Sequence, residues 1–209
     1  MRPPNLANLL VFAGLIGLGV TFFEPHLSAR RVARVESRAL EVAQALSAAV
    51  VEFEPLDLVS PADRDVLLQS LRARCSSLGH PASDLPESIP DASWPTFGNR
   101  HYLFRVVRAP VPVPRPRDWD PEARRPLEVY AWPRSLLPPG RSAFYFPAAG
   151  RPAYSRNLAA EYRGVDRAPP PGAGQPASAE DLRSDQLSYR SRDDERWLLL
   201  PPSALQPGS

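Results

Sequence analysis

The side chains most able to do chemistry in this chain are few and dispersed. Three histidines, His26, His80 and His101, lie far apart. No two stand at i,i+4, and no cysteine or carboxylate cluster joins them at metal-ligand spacing. The single cysteine, Cys75, can neither close an internal disulfide nor build a metal site alone. It sits in LLQSLRARCSSLGH with no histidine suggested as its base, so the expectation is a buried structural thiol. The run RDDER, Arg192 to Arg196, gathers three carboxylates beside a strand-like segment. Its spacing lacks the alternating oxygen ligands of a calcium loop, and a solvated turn is expected. Neither a glycine-rich phosphate loop nor a G-x-S-x-G elbow is present. The expectation is a chain that is not an enzyme, with no cofactor, no metal and no evident small-molecule substrate.

Charge gives no substitute for a site. The chain has 25 basic residues, all arginine, and a net charge of +2. The arginines are scattered and mixed with Asp and Glu, whereas a nucleic-acid binder concentrates its positive charge on one stripe. No nucleic-acid partner is expected. The 27 prolines are unevenly spread, which predicts ordered elements separated by stiff loops.

Since no residue cluster suggests catalysis, the elements themselves become informative. Leu6 to Phe23, LANLLVFAGLIGLGVTFF, carries no charge. As a helix it would cover about 27 Å, close to the ~30 Å of a hydrocarbon core. Phe22, Phe23, Glu24 and Pro25 follow in place of a small-residue cleavage site, so an uncleaved anchor is predicted over a signal peptide. Beyond Pro25 the apolar positions are Val32, Val35, Ala39, Val42, Leu46, Ala49 and Phe53, in alternating steps of three and four, widened by Leu40, Ala43 and Val50. That is one packing stripe of an amphipathic helix. Pro25 removes one helical hydrogen bond and is expected to kink a single continuous helix.

This layout resembles the type IV pilin and type II secretion pseudopilin family. The residues that carry the likeness are GVTFFEPHLSARRVARVESRALEVAQAL, around and after the proline. Where the family places its processing glutamate this chain has Asn8, and Pro3 and Pro4 stand near the cleavage position, so the processing motif is absent. The resemblance implies a helix entering from the cytoplasm, a domain outside it and an antiparallel sheet covering the stripe.

The rest of the chain fits such a sheet. SPADRDVLLQSLRARCSSLGH reads as a second helix with Ser60 as N-cap, Pro61 in the first turn, Val66, Leu67, Leu71 and Cys75 as its apolar face, and Gly79 as its stop. HYLFRVVR, LEVYAW, SAFYF, RPAYSR and RWLLLP read as strands. In the first, Tyr102, Phe104 and Val106 point one way and Leu103, Arg105 and Val107 the other. The Pro-rich segments 109–126 and 163–180 read as an extended spacer and a mobile linker.

The expected architecture is α+β: a long N-terminal transmembrane-plus-amphipathic helix packed on a small antiparallel sheet, pilin-like. Residues 1–25 would be the membrane anchor and 26–209 the soluble domain. The expected function is a single-pass, membrane-anchored structural or assembly subunit of the cell envelope or a secretion system. It would sit in the inner membrane with its domain periplasmic, and its partners would be the membrane and other envelope or pilin-like proteins. The alternative is a single-pass envelope protein that uses the 32–53 stripe as a coiled coil with a membrane partner, without filament function.

Overall fold

The computed structural model describes residues 6–53, 60–90, 93–110, 125–135, 140–177 and 187–205, with the side chains of 6–26 outside that description. Among the described residues there are two α-helices and one eight-stranded sheet. Helix α1 (Leu6–Glu52) runs for 47 residues, or ~70 Å of axis. Helix α2 (Pro61–Ser77) returns along its carboxy-terminal half. The strands are β1 (Glu87–Ser88), β2 (Thr96–Gly98), β3 (Tyr102–Arg108), β4 (Leu127–Pro133), β5 (Ala143–Phe146), β6 (Ala153–Ser155), β7 (Ser188–Arg190) and β8 (Arg196–Leu199). Their order is β1-β2-β3-β4-β5-β6-β8-β7, every pairing antiparallel.

Two sequence expectations are corrected here. Among the described residues no helix is long and apolar enough to cross a membrane. The transmembrane portion of the expected helix is therefore not seen, and the single-pass, pilin-like, pseudopilin and secretion-subunit descriptions lose the feature that suggested them. The charge-free segment Leu6–Phe23 and the kink assigned to Pro25 fall where side chains lie outside the described residues; the helix assignment continues through Pro25. The sheet is also larger than expected. β1, β2 and β7 are two or three residues long, too short to show a period in sequence.

One face of the sheet is apolar and lies under the helices. Ala39, Val42, Leu46, Ala49 and Val50 of α1 are buried there, with Leu67, Leu68, Leu71 and Cys75 of α2. They meet Phe97, Tyr102, Phe104, Val106, Val129 and Phe146. Each fully buried large side chain contributes about 1.5–3 kcal/mol. Val66 is not on this face; it is 45% exposed, and Leu68 takes its place. The helical period explains the exchange: Leu68 reaches Leu71 and Cys75 by steps of three and four, whereas Val66 lies five residues from Leu71.

Local signals fix the ends of these elements. Ser60 caps α2, its side chain accepting from the Asp63 amide, with Pro61 in the first turn. Gly79, at φ +79°, turns the chain out of the helix, and the His80 amide bonds back to the Cys75 carbonyl. Between β2 and β3, Asn99 Oδ1 accepts the amides of His101 and Tyr102 at 2.9 and 2.8 Å, closing a tight turn.

Candidate functional site

The other face of the sheet carries polar atoms into the interior. In β4, Glu128, Tyr130 and Trp132 alternate on this face. Glu128 is 3% exposed and accepts three hydrogen bonds: Tyr130 Oη at 3.1 Å, Tyr145 Oη at 2.8 Å and Gln175 Nε2 at 2.7 Å. Tyr130 and Tyr145 stack with centroids 5.0 Å apart, and Trp197 meets Tyr145 edge-on at 5.9 Å. The Gly174 amide donates to Tyr130 Oη at 3.2 Å, and Tyr189 Oη donates to the Gly174 carbonyl at 2.7 Å. Burial, then the Glu128 carboxylate, holds the Tyr130, Tyr145 and Tyr189 phenols well above their usual range. They stay neutral donors at every ordinary pH.

The cover of this cluster is the segment expected to be a mobile linker. Its described part, 163–177, forms turns, and Gly172, Ala173 and Gly174 are buried. A Cβ at Gly174 would lie 2.3 to 2.7 Å from the Tyr145 ring, so only glycine lets the backbone rest on the stacked phenols. Trp132 Nε1 donates to the Gly164 carbonyl at 2.7 Å and pins the start of the loop. The segment expected to be a spacer, 109–126, lies outside the described residues between 111 and 124.

A second polar knot centres on Glu195, which is 2% exposed. It accepts the Ser155 hydroxyl and the amides of Leu158, Ala159 and Ala160, the last two at 2.8 Å. Burial alone would raise its pKa. The Ser155 hydroxyl and the three amides outweigh burial and hold the carboxyl below the usual glutamate range. Asn157, in the left-handed region at φ +56°, exchanges two side-chain hydrogen bonds with the Tyr162 backbone. RDDER is therefore not a solvated turn throughout: Glu195 is a buried clamp, and Asp193 is half-buried against the Ser191 hydroxyl at 2.5 Å. Among the described residues no three His, Cys, Asp or Glu gather as a metal site.

Both carboxylates are buried and engaged by these donors. Among the described residues the remaining titratable groups stand apart. Cys75 is fully buried; burial and the nearby Glu41 push its thiol up to about 11, far from a thiolate nucleophile at neutral pH. His80 Nε2 stands 3.0 Å from Glu41 Oε2, yet neither ring nitrogen has hydrogen-bond geometry to a partner. The short distance makes this an electrostatic contact between α1 and the end of α2, not an aligned acid–base pair. His101 is kept below the ordinary imidazole range by partial burial and by Arg100. Arg105 reaches Thr96 Oγ1 at 3.0 Å and covers the Trp132 ring at 5.2 Å, a buried cation–π contact. His26 lies outside the described side chains.

An accessible feature among the described residues is the part of α1 ahead of Ala39. The sequence-derived stripe divides in two. Ala39, Val42, Leu46, Ala49 and Val50 are buried, and Phe53 and Val35 pack at the margin of the core. Val32 lies beyond it, in a groove of about 690 Å³ between α1 and the β5–β6 end of the sheet. Ser28, Ala29 and Ala33 share its helical wall; Gly140, Tyr154 and Leu158 lie opposite. At its lip Glu36 Oε1 accepts the amides of Arg141 and Ser142, both at 3.0 Å, and fastens the helix to the chain entering β5.

No family model, curated protein or solved structure matches the chain, so the likeness of its first quarter to the pilin helix has no neighbour to rest on. The braced sheet and the open helix face have to be understood from their own geometry.

The two polar knots escaped the sequence reading, although each left a trace. A glutamate between Leu127 and Val129 in an aromatic, β-branched strand is an anomaly that calls for buried donors. Glu195 offers the same kind of clue beside Trp197. Gln175 and Gly174, which complete the first knot from 47 and 44 residues away, left no local sign.

Proposed function

We propose that this chain is a non-catalytic structural or assembly subunit, which holds a braced β-sheet at one end of a long helix and binds other proteins along the helix. The observation that carries this reading is the partition of α1. The helix runs 47 residues, and among its described side chains, which start at Leu27, the first buried one is Ala39. Leu27 to Arg31, Ala33, Arg34 and Ser37 are exposed. An isolated helical segment of this kind is marginal in water, and helices in proteins owe most of their stability to a packed face. An arm of this length suits attachment to something else. The sealed polar knots support the non-catalytic half of the reading, since their carboxylates are engaged in holding loops.

Leu46, fully buried against the sheet, limits the coiled-coil alternative. An intermolecular helix could use the stripe only ahead of Ala39, at Val32 and Val35.

The test is site-specific photocrosslinking of the full chain in its native host. A photoreactive side chain at Leu27 or Ala33 is expected to give discrete protein adducts. The same group at Val51, an exposed apolar residue at the other end of α1, is expected to give none. Equal or absent adducts at all three positions would remove the attachment-arm reading.

A further inference from the structure

We propose that the groove between α1 and the β5–β6 end of the sheet docks an acidic amphipathic helix of a partner protein. The proposal rests on the attachment reading above and gives the partner a chemistry. Four features of the groove converge on it. Its helical wall continues the apolar stripe at Val32, beyond the run covered by the sheet, with the small residues Ser28, Ala29 and Ala33 beside it and Glu36 at its lip. Small side chains let a second helix come close, since interaxial distance follows the residues at the contact. The opposite wall offers Leu158, an apolar side chain that is 73% exposed. The groove's volume, about 690 Å³, is enough to take several apolar side chains from such a helix.

The rim decides the sign of the partner. Arg141 and Arg156 both line the groove, and the guanidinium of neither is in an ion pair or hydrogen bond among the described residues. The one carboxylate of the lining, Glu36, is engaged by two backbone amides. Two arginines without a partner among the described residues, set beside Val32 and Leu158, complement acidic residues flanking an apolar stripe. A second copy of this chain fits less well. In a two-fold pairing the same patch meets itself, so a rim with two arginines and one hydrogen-bonded carboxylate would face a rim of the same net sign.

The test uses the full chain and two synthetic amphipathic peptides with one apolar stripe, flanked by glutamates in one and by lysines in the other. Fluorescence anisotropy is expected to show binding of the glutamate peptide and none of the lysine peptide. Leu158→Asp should abolish binding, and Arg141→Glu with Arg156→Glu should weaken it about ten-fold while letting the lysine peptide bind. Val51→Asp, an equally exposed apolar position away from the groove, should change nothing. Far-UV circular dichroism establishes that each variant stays folded; Leu158 and the two arginines are surface residues, so all are expected to fold. Equal affinity for both peptides, no binding of the glutamate peptide, or binding indifferent to Leu158→Asp overturns the proposal. So does a concentration-dependent dimer in sedimentation that Leu158→Asp dissociates, which would give the groove to a second copy. If crosslinks at Leu27 and Ala33 persist while the peptide preference is absent, the attachment reading stands and only the groove assignment falls.

Discussion

The two faces of the sheet are covered by different means. On one, helices α1 and α2 press apolar side chains onto Phe97, Phe104, Val106 and Phe146, and geometry is set by shape. On the other, backbone covers side chain: Gly174 lies on the Tyr145 ring of the stacked pair, Gly172 lies against Pro110, and Glu128, Gln175 and Tyr189 stitch the loop down with hydrogen bonds. Helix burial is tolerant, because apolar groups of similar volume can substitute for one another. A loop cover is intolerant, because each donor has one acceptor and one position admits no Cβ. The difference sets what each face can withstand.

The largest effect is expected on the helical face. Leu46 has no exposed surface at the centre of the α1 stripe, and Leu46→Ala should cost about 3 kcal/mol through lost burial and the cavity left behind. Urea unfolding monitored by far-UV circular dichroism should show one lowered midpoint for the whole domain. A change within error would mean that α1 does not roof the sheet.

Gly174→Ala should come next, at about 2 kcal/mol, because its methyl group must displace the Tyr145 ring or lift the loop. Its signature differs from that of Leu46→Ala. Near-ultraviolet tyrosine ellipticity and protease resistance between 164 and 177 should fall before secondary structure does. If both variants lose all signals together, the two faces form one cooperative unit and the contrast between them is only local.

A smaller loss is expected from Tyr189→Phe, about 1 kcal/mol, which removes the bond to the Gly174 carbonyl and leaves that acceptor alone. Glu128→Gln should exceed it by roughly 1 kcal/mol, because its amide group would turn a donor toward phenols that also donate. The reverse order would place the strength of the cover in Tyr189 and not in the carboxylate.

The contrast also accounts for what was legible in the sequence. Side chains at helical or strand period announce their face, so the stripe from Ala39 to Val50 and the alternation along β3 were readable before any fold was known. Val66 shows the limit of that signal: an apolar residue adjoining a stripe can still point outward. Hydrogen-bonded covers have no period. Nothing local in PPPGAGQP indicates that Gly174 meets Tyr145 or that Gln175 reaches Glu128, so low sequence complexity reads as mobility. The carboxylates of RDDER looked solvated for the same reason, since the amides that hold Glu195 lie 35 to 37 residues earlier. The groove was invisible because it is defined by where the sheet ends, which no stripe records.

The smallest effect tests whether the Glu195 clamp acts through its charge. In the folded protein the carboxyl is held below the usual glutamate range, so the unfolded chain takes up a proton first as pH falls. The clamp's contribution is then fully present above the unfolded glutamate value, near ~4.3, and is lost as pH drops through the lower folded value. Glu195→Gln keeps an acceptor but has no charge to lose. The stability difference between the native chain and this variant, from urea unfolding in steps from neutral pH to pH ~3, should therefore be constant at first and shrink only below the glutamate range. Because the variant carries every other carboxylate, their common acid response cancels in the difference. A gap that widens on acidification would mean that Glu195 is protonated in the fold, and the loop from Leu158 to Ala160 would then be held by the Ser155 side and not by an anion. A constant gap would make the clamp one of shape alone, erasing the distinction between the knot and the apolar face opposite.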